Sequence, residues 1–427
     1  MSKLECKHAN QPLTSMFAAI SREALKPAQS QVLVSCSFCN TPIASHRLEF
    51  DIDANSFGGE RSVTEAKIHN EPINIAEFEE IARQKLPKIA YDYYASGSAD
   101  ELTLERNRAS FRELSLRPRV LVDVSTRHLA TTVVGTDVSM PILVAPMAFQ
   151  GMAHIDGECA TARAAAASGT IMCVSTLANY SIEEVAAASN GGSLFFQLYV
   201  YKDKGITADL VQRAEAAGYK ALVLTVDSPL LGRRERDVRN LFQLPDDLKI
   251  ANIVLDKFKR FPQASSDSGL FAYIHDLYDA SLTWKDLEWI CSLSKLPLLV
   301  KGVLRGDDAI RAIECGAKGI VVSNHGGRQL DTAIATIKAL PEVVQSVAGR
   351  AEVLVDGGVT RGTDVLKALA LGARAVLVGR PILWGLSSQG EQGVARVLEI
   401  LRTELDLAMA LSGCPTLDSI TEDLLVR

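Results

Sequence analysis

Short apolar runs, separated by segments of helical pattern, dominate the chain from residue 142 onwards. Each run holds five to seven residues rich in Val, Ile, Leu and Ala, which is typical of strands buried on both faces of a parallel sheet. Eight strands are therefore predicted, at Ile142–Met147, Thr170–Ser175, Leu194–Val200, Ala221–Asp227, Leu296–Gly302, Gly319–Ser323, Glu352–Asp356 and Ala375–Gly379.

Helical patterns fill the gaps between these strands. Four of them are predicted at Glu158–Ser168, Ile206–Ala217, Asp307–Cys315 and Gly362–Leu371. A glycine follows several of these helices, at positions 218, 316 and 372, where a left-handed residue commonly ends a helix. Eight strands alternating with helices predict an α/β fold of the (β/α)₈, or TIM, barrel type. A doubly wound open sheet is the alternative, and it is disfavoured because no Gly-x-Gly-x-x-Gly motif follows the first strand.

Two regions depart from this regular alternation. Apolar residues recur at helical spacing from Ile75 to Leu86 and predict an N-terminal helical segment ahead of the barrel. More than fifty residues separate the fourth strand from the helical pattern at Trp284–Leu293. A connection of this length in a compact domain is usually functional, and it predicts a mobile lid over the barrel mouth.

Residues 1–70 show no sustained helical or strand period, so the chain is divided into an extension (1–70) and a barrel domain (71–427). The first 47 residues carry five Lys and Arg but only two Glu. That composition fits either an organelle transit segment or a disordered tail. The C-terminus lacks a Ser-Lys-Leu address, and localisation stays open among intracellular compartments, including mitochondrion and peroxisome.

The composition of the chain argues against some kinds of binding partner. The 427 residues are 47% hydrophobic with a net charge of −6 and no basic stripe, which argues against nucleic acid or an anionic membrane. No apolar run reaches the ~18 residues of a membrane span. The eight cysteines are scattered, as in proteins with reduced thiols. Cys36 and Cys39 have the spacing of half a metal site, but no second pair accompanies them and no metal is expected.

The sixth predicted strand leads directly into a stretch that carries reactive side chains. It stops at Asn324 and His325, followed by two glycines and Arg328. An imidazole can accept a proton, and a guanidinium can hold a carboxylate through two parallel hydrogen bonds. The pattern indicates a site that binds a carboxylic acid and removes a proton near the carboxylate. A glycine-rich turn with a solvated arginine is the structural alternative.

Polar residues also follow most of the other strands, at the end where barrel enzymes place their active sites. Glycine turns after strands seven and eight, with Arg380, indicate binding of a phosphate group. Lys301, on strand five, is a fixed cation beside an electron-rich cofactor, a Schiff-base nucleophile or a salt-bridge partner.

Four motifs together resemble the FMN-dependent L-2-hydroxy acid oxidase family, which includes glycolate oxidase and lactate oxidase. They are Tyr91–Gly97, Phe196–Asp203, Leu231–Glu235 and Ser323–Asp331, in family order and spacing. The resemblance extends from about Ile73 to Ile420.

The resemblance implies catalytic and substrate-binding roles. His325 is expected to be the base, oriented by Asp227, and Tyr199 is expected to contact the substrate hydroxyl. The substrate carboxylate is assigned to Tyr93, Arg234 and Arg328, and the substrate pocket also includes Met147 and Leu177. Whether His325 takes the α-proton or the hydroxyl proton during hydride transfer is left open.

FMN is the cofactor that the resemblance implies. Lys301 would then be the fixed cation beside the flavin, and the family pattern departs at Thr360, where Arg is common and Arg361 follows instead. The expected cofactor-binding residues are Pro146, Met147, Ala148, Ser175, Gln197, Thr225, Lys301, Ser323, Asp356, Gly357, Gly358, Arg361, Gly379 and Arg380.

The expected substrate follows from a second difference between this sequence and the family pattern. Glycolate oxidases usually carry Thr and Trp where this chain has Met147 and Leu177, so the pocket is expected to be wider and more apolar, favouring L-lactate over glycolate. O₂ is the expected acceptor, with another electron carrier as the alternative. A heme-domain signature is absent, and the resemblance suggests a homotetramer or octamer.

Two other functional classes are alternatives to this one. An aldolase-type lyase would use Lys301 as a Schiff base and would contain no flavin. A barrel that only binds ligand is expected to lack a base and a carboxylate clamp, yet His325 and Arg328 are both present.

Overall fold

The computed structural model describes residues 71–253, 260–261 and 268–426. Eight parallel strands close into a barrel in the order β10-β11-β4-β5-β6-β7-β8-β9. They are β4 (Ile142–Val144), β5 (Met172–Val174), β6 (Leu194–Leu198), β7 (Ala221–Thr225), β8 (Leu298–Val303), β9 (Gly319–Val322), β10 (Glu352–Asp356) and β11 (Ala375–Val378). The predicted (β/α)₈ barrel is confirmed, and the open sheet is excluded because β11 pairs with β4.

The strands form where the apolar runs predict them, but six of the eight end one to three residues earlier. The difference is largest for β4, which ends at Val144 while the predicted strand continues to Met147. Residues from 145 to 148 line a cavity instead of extending the ladder. The polar and apolar residues past the strand ends are therefore available for a site rather than committed to the sheet.

Two layers of apolar side chains, one on each side of the barrel strands, form the core. One layer fills the barrel interior and includes Leu143, Phe195, Val223 and Leu377. The other lies between the barrel and its helices, where Phe78, Trp384 and their neighbours are almost completely buried. Strands with both faces covered in this way need continuous apolar sequence, which explains the runs in the sequence.

Thirteen α-helices are found among the described residues. They are α1 (Ile75–Lys85), α2 (Lys88–Ala95), α3 (Leu102–Glu113), α4 (Gly157–Ala167), α5 (Ile182–Ala188), α6 (Lys204–Ala216), α7 (Glu235–Arg239), α8 (Gly269–Leu277), α9 (Trp284–Leu293), α10 (Gly306–Glu314), α11 (Thr336–Val347), α12 (Gly362–Ala370) and α13 (Arg380–Leu411). The glycines expected to end helices are left-handed as predicted, with φ of 84° at Gly218 and 93° at Gly372. None of these helices is long and apolar enough to cross a membrane.

Additions surround the barrel. Helix α1 is the N-terminal helical segment predicted from Ile75 to Leu86, and it packs against α13. Helices α2 and α3, which follow it, were not predicted. Short strands outside the barrel are β1 (Ser115–Leu116) paired with β12 (Leu425–Val426), and β2 (Thr131–Val133) paired with β3 (Thr136–Val138). The N-terminal helices matter for the site because α2 and α3 contribute residues to the cavity described below.

The long connection after β7 contains α7 and α8, and Leu270 and Ile274 of α8 line the cavity, in agreement with a cover over the barrel mouth. Its expected mobility stays a prediction. The predicted extension 1–70, including Cys36 and Cys39, lies outside the described residues, as does most of the polar stretch between residues 263 and 269.

Candidate active site

A cavity opens at the carboxyl ends of the barrel strands, and its empty space is about 1270 Å³ when the solvent at its mouth is included. Most of the predicted site residues line it together, although they come from distant parts of the chain. Those that do are Tyr93, Pro146, Met147, Ala148, Ser175, Leu177, Gln197, Tyr199, Thr225, Arg234, Lys301, His325, Arg328, Asp356, Gly357, Gly358, Gly379 and Arg380. Asp227 and Ser323 are not part of the lining but bond to residues that are.

His325 is held in one orientation. Its Nδ1 lies 2.8 Å from Oδ1 of Asp227, and its backbone N–H donates to Ser323 Oγ at 3.0 Å. Its φ of 58° is left-handed, an uncommon conformation for a residue with a side chain. With Nδ1–H donated to the carboxylate, Nε2 carries the free lone pair and can accept a proton.

The electrostatics of the pair suit a base. Burial lowers the pKa of His325 below its ordinary value despite the Asp227 carboxylate, and the nearby Lys301 and Arg234 act in the same direction as burial. For Asp227, burial acts to raise the pKa, but the imidazole and Lys301 together hold it below its ordinary value. The imidazole is therefore neutral and the carboxylate ionised near pH 7.

A second cluster concentrates positive charge. The guanidinium carbon of Arg328 lies 4.9 Å from the centre of the Tyr93 ring, and that of Arg234 lies 5.9 Å from it on the same ring. Burial, and then the neighbouring Arg234, lowers the pKa of Arg328 to about 10. The nearby carboxylate of Asp237 stands 3.9 Å from Arg234 Nη1, and its oxygens accept no hydrogen bond. The two guanidinium groups of Arg328 and Arg234 favour binding of a small anion such as a carboxylate.

Tyr199 faces the cavity from the end of β6. Burial, and next the Asp227 carboxylate, raises the pKa of its phenol to about 12. The phenol is therefore a neutral hydroxyl at all physiological pH values and can donate to a substrate oxygen. Its ring is fixed by Tyr278, whose centroid is 4.8 Å away.

Lys301 is a buried cation with fixed partners. Its Nζ donates to Ser323 Oγ at 2.9 Å and lies 3.1 Å from Asp356 Oδ2. Burial acts to lower its pKa, but the Asp356 and Asp227 carboxylates outweigh burial and raise it. A permanently protonated amine is a poor Schiff-base nucleophile, so the geometry supports the fixed-cation role over the lyase alternative.

A polar edge runs along the ends of β5, β6 and β7. Ser175 Oγ donates to Gln197 Oε1 at 3.2 Å, and Gln197 Nε2 donates to Thr225 Oγ1 at 3.1 Å. These bonds fix the orientation of the Gln197 amide, and all three residues line the cavity. A flat heteroaromatic ring with alternating donors and acceptors matches such an edge.

The opposite end of the cavity is suited to a phosphate. Gly357 and Gly358 have φ of 90° and 86°, and a Cβ on Gly358 would lie 2.3 Å from the carbonyl oxygen of Asn107, so only glycine fits. Helix α13 begins next to them at Arg380 with no side-chain cap. An uncapped helix N-terminus attracts an anion.

Arg380 itself is held by backbone carbonyls, donating to Ser96 O at 2.9 Å and Gly326 O at 3.0 Å. Burial, and then the guanidinium of Arg328, lowers its pKa to about 9. Arg328 bonds to the same carbonyl of Ser96 at 3.0 Å. The phosphate cradle, formed by Gly357, Gly358 and the N-terminus of α13, lies in the same cavity as the polar edge at Gln197 and the buried cation Lys301. Together these three features fit FMN.

Arg361 is not brought to this cavity. It precedes α12, is half exposed, and its Nη1 bonds to Glu404 Oε1 at 2.7 Å. Thr360 lines the cavity in its place. The phosphate end therefore has Arg380 as its charged side chain among the predicted residues, and the expected contact from Arg361 is not formed.

Several further cavity residues were missed from the sequence, among them Asn107, Leu270 and Ile274. Asn107 lines the phosphate end and exchanges two side-chain hydrogen bonds with Asn324, at 2.9 and 2.8 Å. Its only sequence signal was the polar stretch around it in α3. Leu270 and Ile274 belong to α8, and nothing in an amphipathic helix pattern distinguishes a cavity face from a core face.

Comparison with known proteins agrees with this site. Residues 82–427 match the family model described as FMN-dependent dehydrogenase. The chain is 56% identical over 357 residues to an L-lactate oxidase from Nostoc sp., covering 83% of this chain and 98% of that protein. It is also 56% identical over 348 residues to glycolate oxidase 1 from Zea mays, covering 82% and 94%.

Solved structures give the same result. A mandelate oxidase crystallised with (S)-4-hydroxymandelic acid superposes with a TM-score of 0.80 at 42% identity, covering 83% of this chain and 98% of that chain. An active chimera of (S)-mandelate dehydrogenase superposes with a TM-score of 0.77 at 40% identity, covering 83% and 99%.

Proposed function

The chain belongs to the family of FMN-dependent dehydrogenases, and we propose that it is an FMN-dependent L-2-hydroxy acid oxidase that converts L-lactate, in preference to glycolate, into the 2-oxo acid while O₂ becomes H₂O₂. One observation carries the proposal: a neutral histidine oriented by a carboxylate shares a cavity with a carboxylate-binding arginine cluster and a buried lysine. That combination serves proton removal beside a carboxylate.

Bound FMN supplies a two-electron acceptor that O₂ can reoxidise. Its phosphate would be held by Gly357, Gly358 and the N-terminus of α13 at Arg380. Ser175, Gln197 and Thr225 would face its ring, with Lys301 as the fixed positive charge. Ser323 and Asp356 contribute by holding the lysine ammonium in place.

His325 removes the proton in this proposal. Because Nδ1 faces Asp227, Nε2 is the nitrogen that would accept the proton, whether it comes from the α-carbon or from the hydroxyl. Asp227 stabilises the imidazolium as it forms, because the ionised carboxylate already accepts Nδ1–H. Tyr199 fixes the substrate hydroxyl as a neutral donor.

Arg328→Lys is expected to weaken binding of the substrate carboxylate more than turnover, raising KM by about tenfold to a hundredfold. Lysine keeps the charge but loses the planar two-pronged donor. Steady-state kinetics with L-lactate measures the effect, and Kd for the unreactive dianion oxalate is expected to rise in parallel. The matched control is Arg233→Lys, since Arg233 is the neighbouring arginine and does not line the cavity. Wild-type KM and oxalate Kd in Arg328→Lys would contradict the assignment.

Leu177→Trp is expected to move substrate preference towards glycolate. Leu177 and Met147 line the cavity and are both buried, so a larger ring at position 177 takes the space of a substituent on the α-carbon. A methyl group in an apolar pocket is worth about 1–3 kcal/mol, or roughly 10- to 200-fold in selectivity. The ratio of kcat/KM for L-lactate to that for glycolate measures the shift. An unchanged ratio would contradict the proposal that Leu177 lies beside the substituent on the substrate α-carbon.

O₂ is the proposed acceptor because the curated relatives reported above are named oxidases. A dehydrogenase that passes electrons to another carrier is the second candidate. The two are separated by measuring O₂ consumed, H₂O₂ formed and pyruvate formed during turnover of L-lactate. Equal amounts of the three support the oxidase, and pyruvate formed only when an artificial acceptor is added supports the dehydrogenase.

We also propose that residues 71–427 are the catalytic domain, that residues 1–70 form a separate extension, and that the enzyme is a homotetramer or octamer. The relatives cover 82–83% of the chain, in agreement with a catalytic domain of this length. An exposed apolar segment, Val120–Val122, packs next to Gly413 near the exposed Leu411, and such patches commonly form interfaces between subunits.

A further inference from the structure

Asp237 is a buried carboxylate that stands behind the arginines assigned to the substrate. It belongs to α7, only 2% of it is exposed, and it does not line the cavity. Its Oδ2 is 3.9 Å from Nη1 of Arg234, and neither carboxylate oxygen accepts a hydrogen bond from the described residues. A buried charge without hydrogen bonds is costly, so the ionised form of Asp237 depends on the charge of the nearby arginines.

Charged and titratable groups act on Asp237 from three segments of the chain. Arg234, just before α7, and Arg328, after β9, both favour its ionised form. Asp92 of α2 opposes ionisation, and the neighbouring Tyr93 phenol is neutral because burial raises its pKa. Burial outweighs the two arginines, so the pKa of Asp237 is higher than that of an ordinary aspartate.

A bound ligand changes this balance of charge. The substrate carboxylate is proposed to bind at Arg328 and Arg234, the same two guanidinium groups that stabilise ionised Asp237. The ligand therefore adds a second anion to one pair of cations. A charge at ~4–6 Å shifts the pKa of a carboxyl group by about 1–3 units, and a like charge raises it. Ligand binding and protonation of Asp237 are thus expected to favour each other.

We propose that Asp237 is a proton-coupled counter-ion of Arg234 and Arg328: it is ionised in the free enzyme and takes one proton from solvent when an anionic 2-hydroxy or 2-oxo acid binds. The proton returns to solvent when the ligand leaves. The two arginines, Asp237 and the ligand carboxylate then carry the same net charge as the two arginines and ionised Asp237 do alone. This inference rests on the proposed function and specifies how its substrate site compensates the charge of the ligand.

The reciprocity of coupled binding gives the sign and size of the effect. The factor by which the ligand favours protonation of Asp237 is also the factor by which ionised Asp237 weakens ligand binding. Kd for a monoanionic ligand is therefore expected to rise by about tenfold or more as the pH increases through the pKa of Asp237. In Asp237→Asn, where the side chain is always neutral, Kd is expected to keep its low value at every pH. Loss of a merely structural residue would weaken binding instead.

The test uses pyruvate as the probe and the His325→Gln holoenzyme as the background, because a protonated imidazole would also favour an anion. Kd is measured through perturbation of the flavin absorbance at a series of pH values. Proton uptake is measured by calorimetry in buffers of different ionisation enthalpy. Adding Asp237→Asn is expected to lower Kd at neutral pH by about tenfold or more, to flatten its pH dependence and to abolish the uptake. Every other titrating group is shared by the two proteins, so their difference isolates Asp237.

The matched control is Glu235→Gln in the same background. Glu235 also belongs to α7, two residues from Asp237, but it is exposed. Its removal is expected to leave both the pH dependence of Kd and the proton uptake unchanged. Asp237→Ser, which is also neutral and is smaller, keeps the test available if the asparagine variant fails to fold, and the same direction of change is expected.

Two failures are distinguishable. If pyruvate binds without proton uptake, or if neutral variants at position 237 bind it more weakly, the role of Asp237 is rejected and the oxidase function stands. If L-lactate does not reduce the flavin of the wild-type holoenzyme, the proposed function itself fails.

Discussion

Turnover of L-lactate is expected to fall by roughly 10²- to 10⁴-fold in His325→Gln, the range that a positioned general base contributes. Glutamine resembles histidine in size and its amide can still donate to Asp227, but it cannot accept the proton. FMN is expected to stay bound, because the phosphate cradle and the Gln197 edge do not depend on the imidazole. Anaerobic single-turnover reduction measures the change without interference from the reaction with O₂.

The pH dependence gives the same residue a second readout. A base must be neutral, so kcat/KM is expected to fall as the pH drops through the pKa of His325. Burial lowers that pKa below its ordinary value of about 6.5, and the acid limb of the wild type is therefore expected below pH 6.5. The residual activity of His325→Gln is expected to lack this limb.

Ser228→Ala is the control for His325, since Ser228 Oγ lies 3.0 Å from Asp227 Oδ1 and 3.4 Å from His325 Nδ1 without being able to act as the base. Its turnover is expected within about tenfold of the wild type. Near-normal reduction of the flavin in His325→Gln would show that another group removes the proton.

Lys301→Met is expected to slow reduction of the flavin by about 10²- to 10³-fold. A preorganised charge near the site where negative charge develops contributes on that order. The reduction potential of the bound flavin is expected to fall in the same variant, because the positive charge that stabilises the reduced form is gone. Potentiometric titration and anaerobic reduction with L-lactate measure the two effects.

The same substitution leaves Asp356 buried without its cation, which is expected to lower the free energy of unfolding by about 3–5 kcal/mol. Adding Asp356→Asn is expected to restore much of that stability without restoring the potential or the rate. This double variant separates the structural role of the lysine from its electrostatic role. If Lys301→Met alone kept the wild-type reduction potential of the bound flavin, the placement of Lys301 beside the flavin would be wrong.

Much of the site could be predicted because residues at or just past the carboxyl ends of barrel strands are obliged to meet at one face. The positions of His325 and Lys301 in sequence already fix them near the cavity, whatever the rest of the chain does. The strand positions were predicted from buried apolar runs for the same reason. Only the strand ends differ, because the sequence does not show where the hydrogen-bonded ladder stops and the site begins.

The features that were missed depend on packing between distant segments. Arg361 was expected at the phosphate because the family commonly has an arginine at the neighbouring position 360, but the structure pairs it with Glu404 of α13. Asn107 reaches the cavity only because α3 packs against the turn after β9. Leu270 and Ile274 have the ordinary composition of a core helix, and their position over the cavity depends on contacts of α8 with Phe242 and Tyr199 that sequence spacing does not contain.

The most direct test of the central claim is to mix the purified protein anaerobically with L-lactate, then separately with glycolate, and to follow its visible spectrum before and after admitting air. The proposed function predicts a yellow protein that L-lactate bleaches faster than glycolate does, and whose colour returns rapidly in air. A protein that stays colourless after FMN is added, or whose flavin neither substrate reduces, would contradict it.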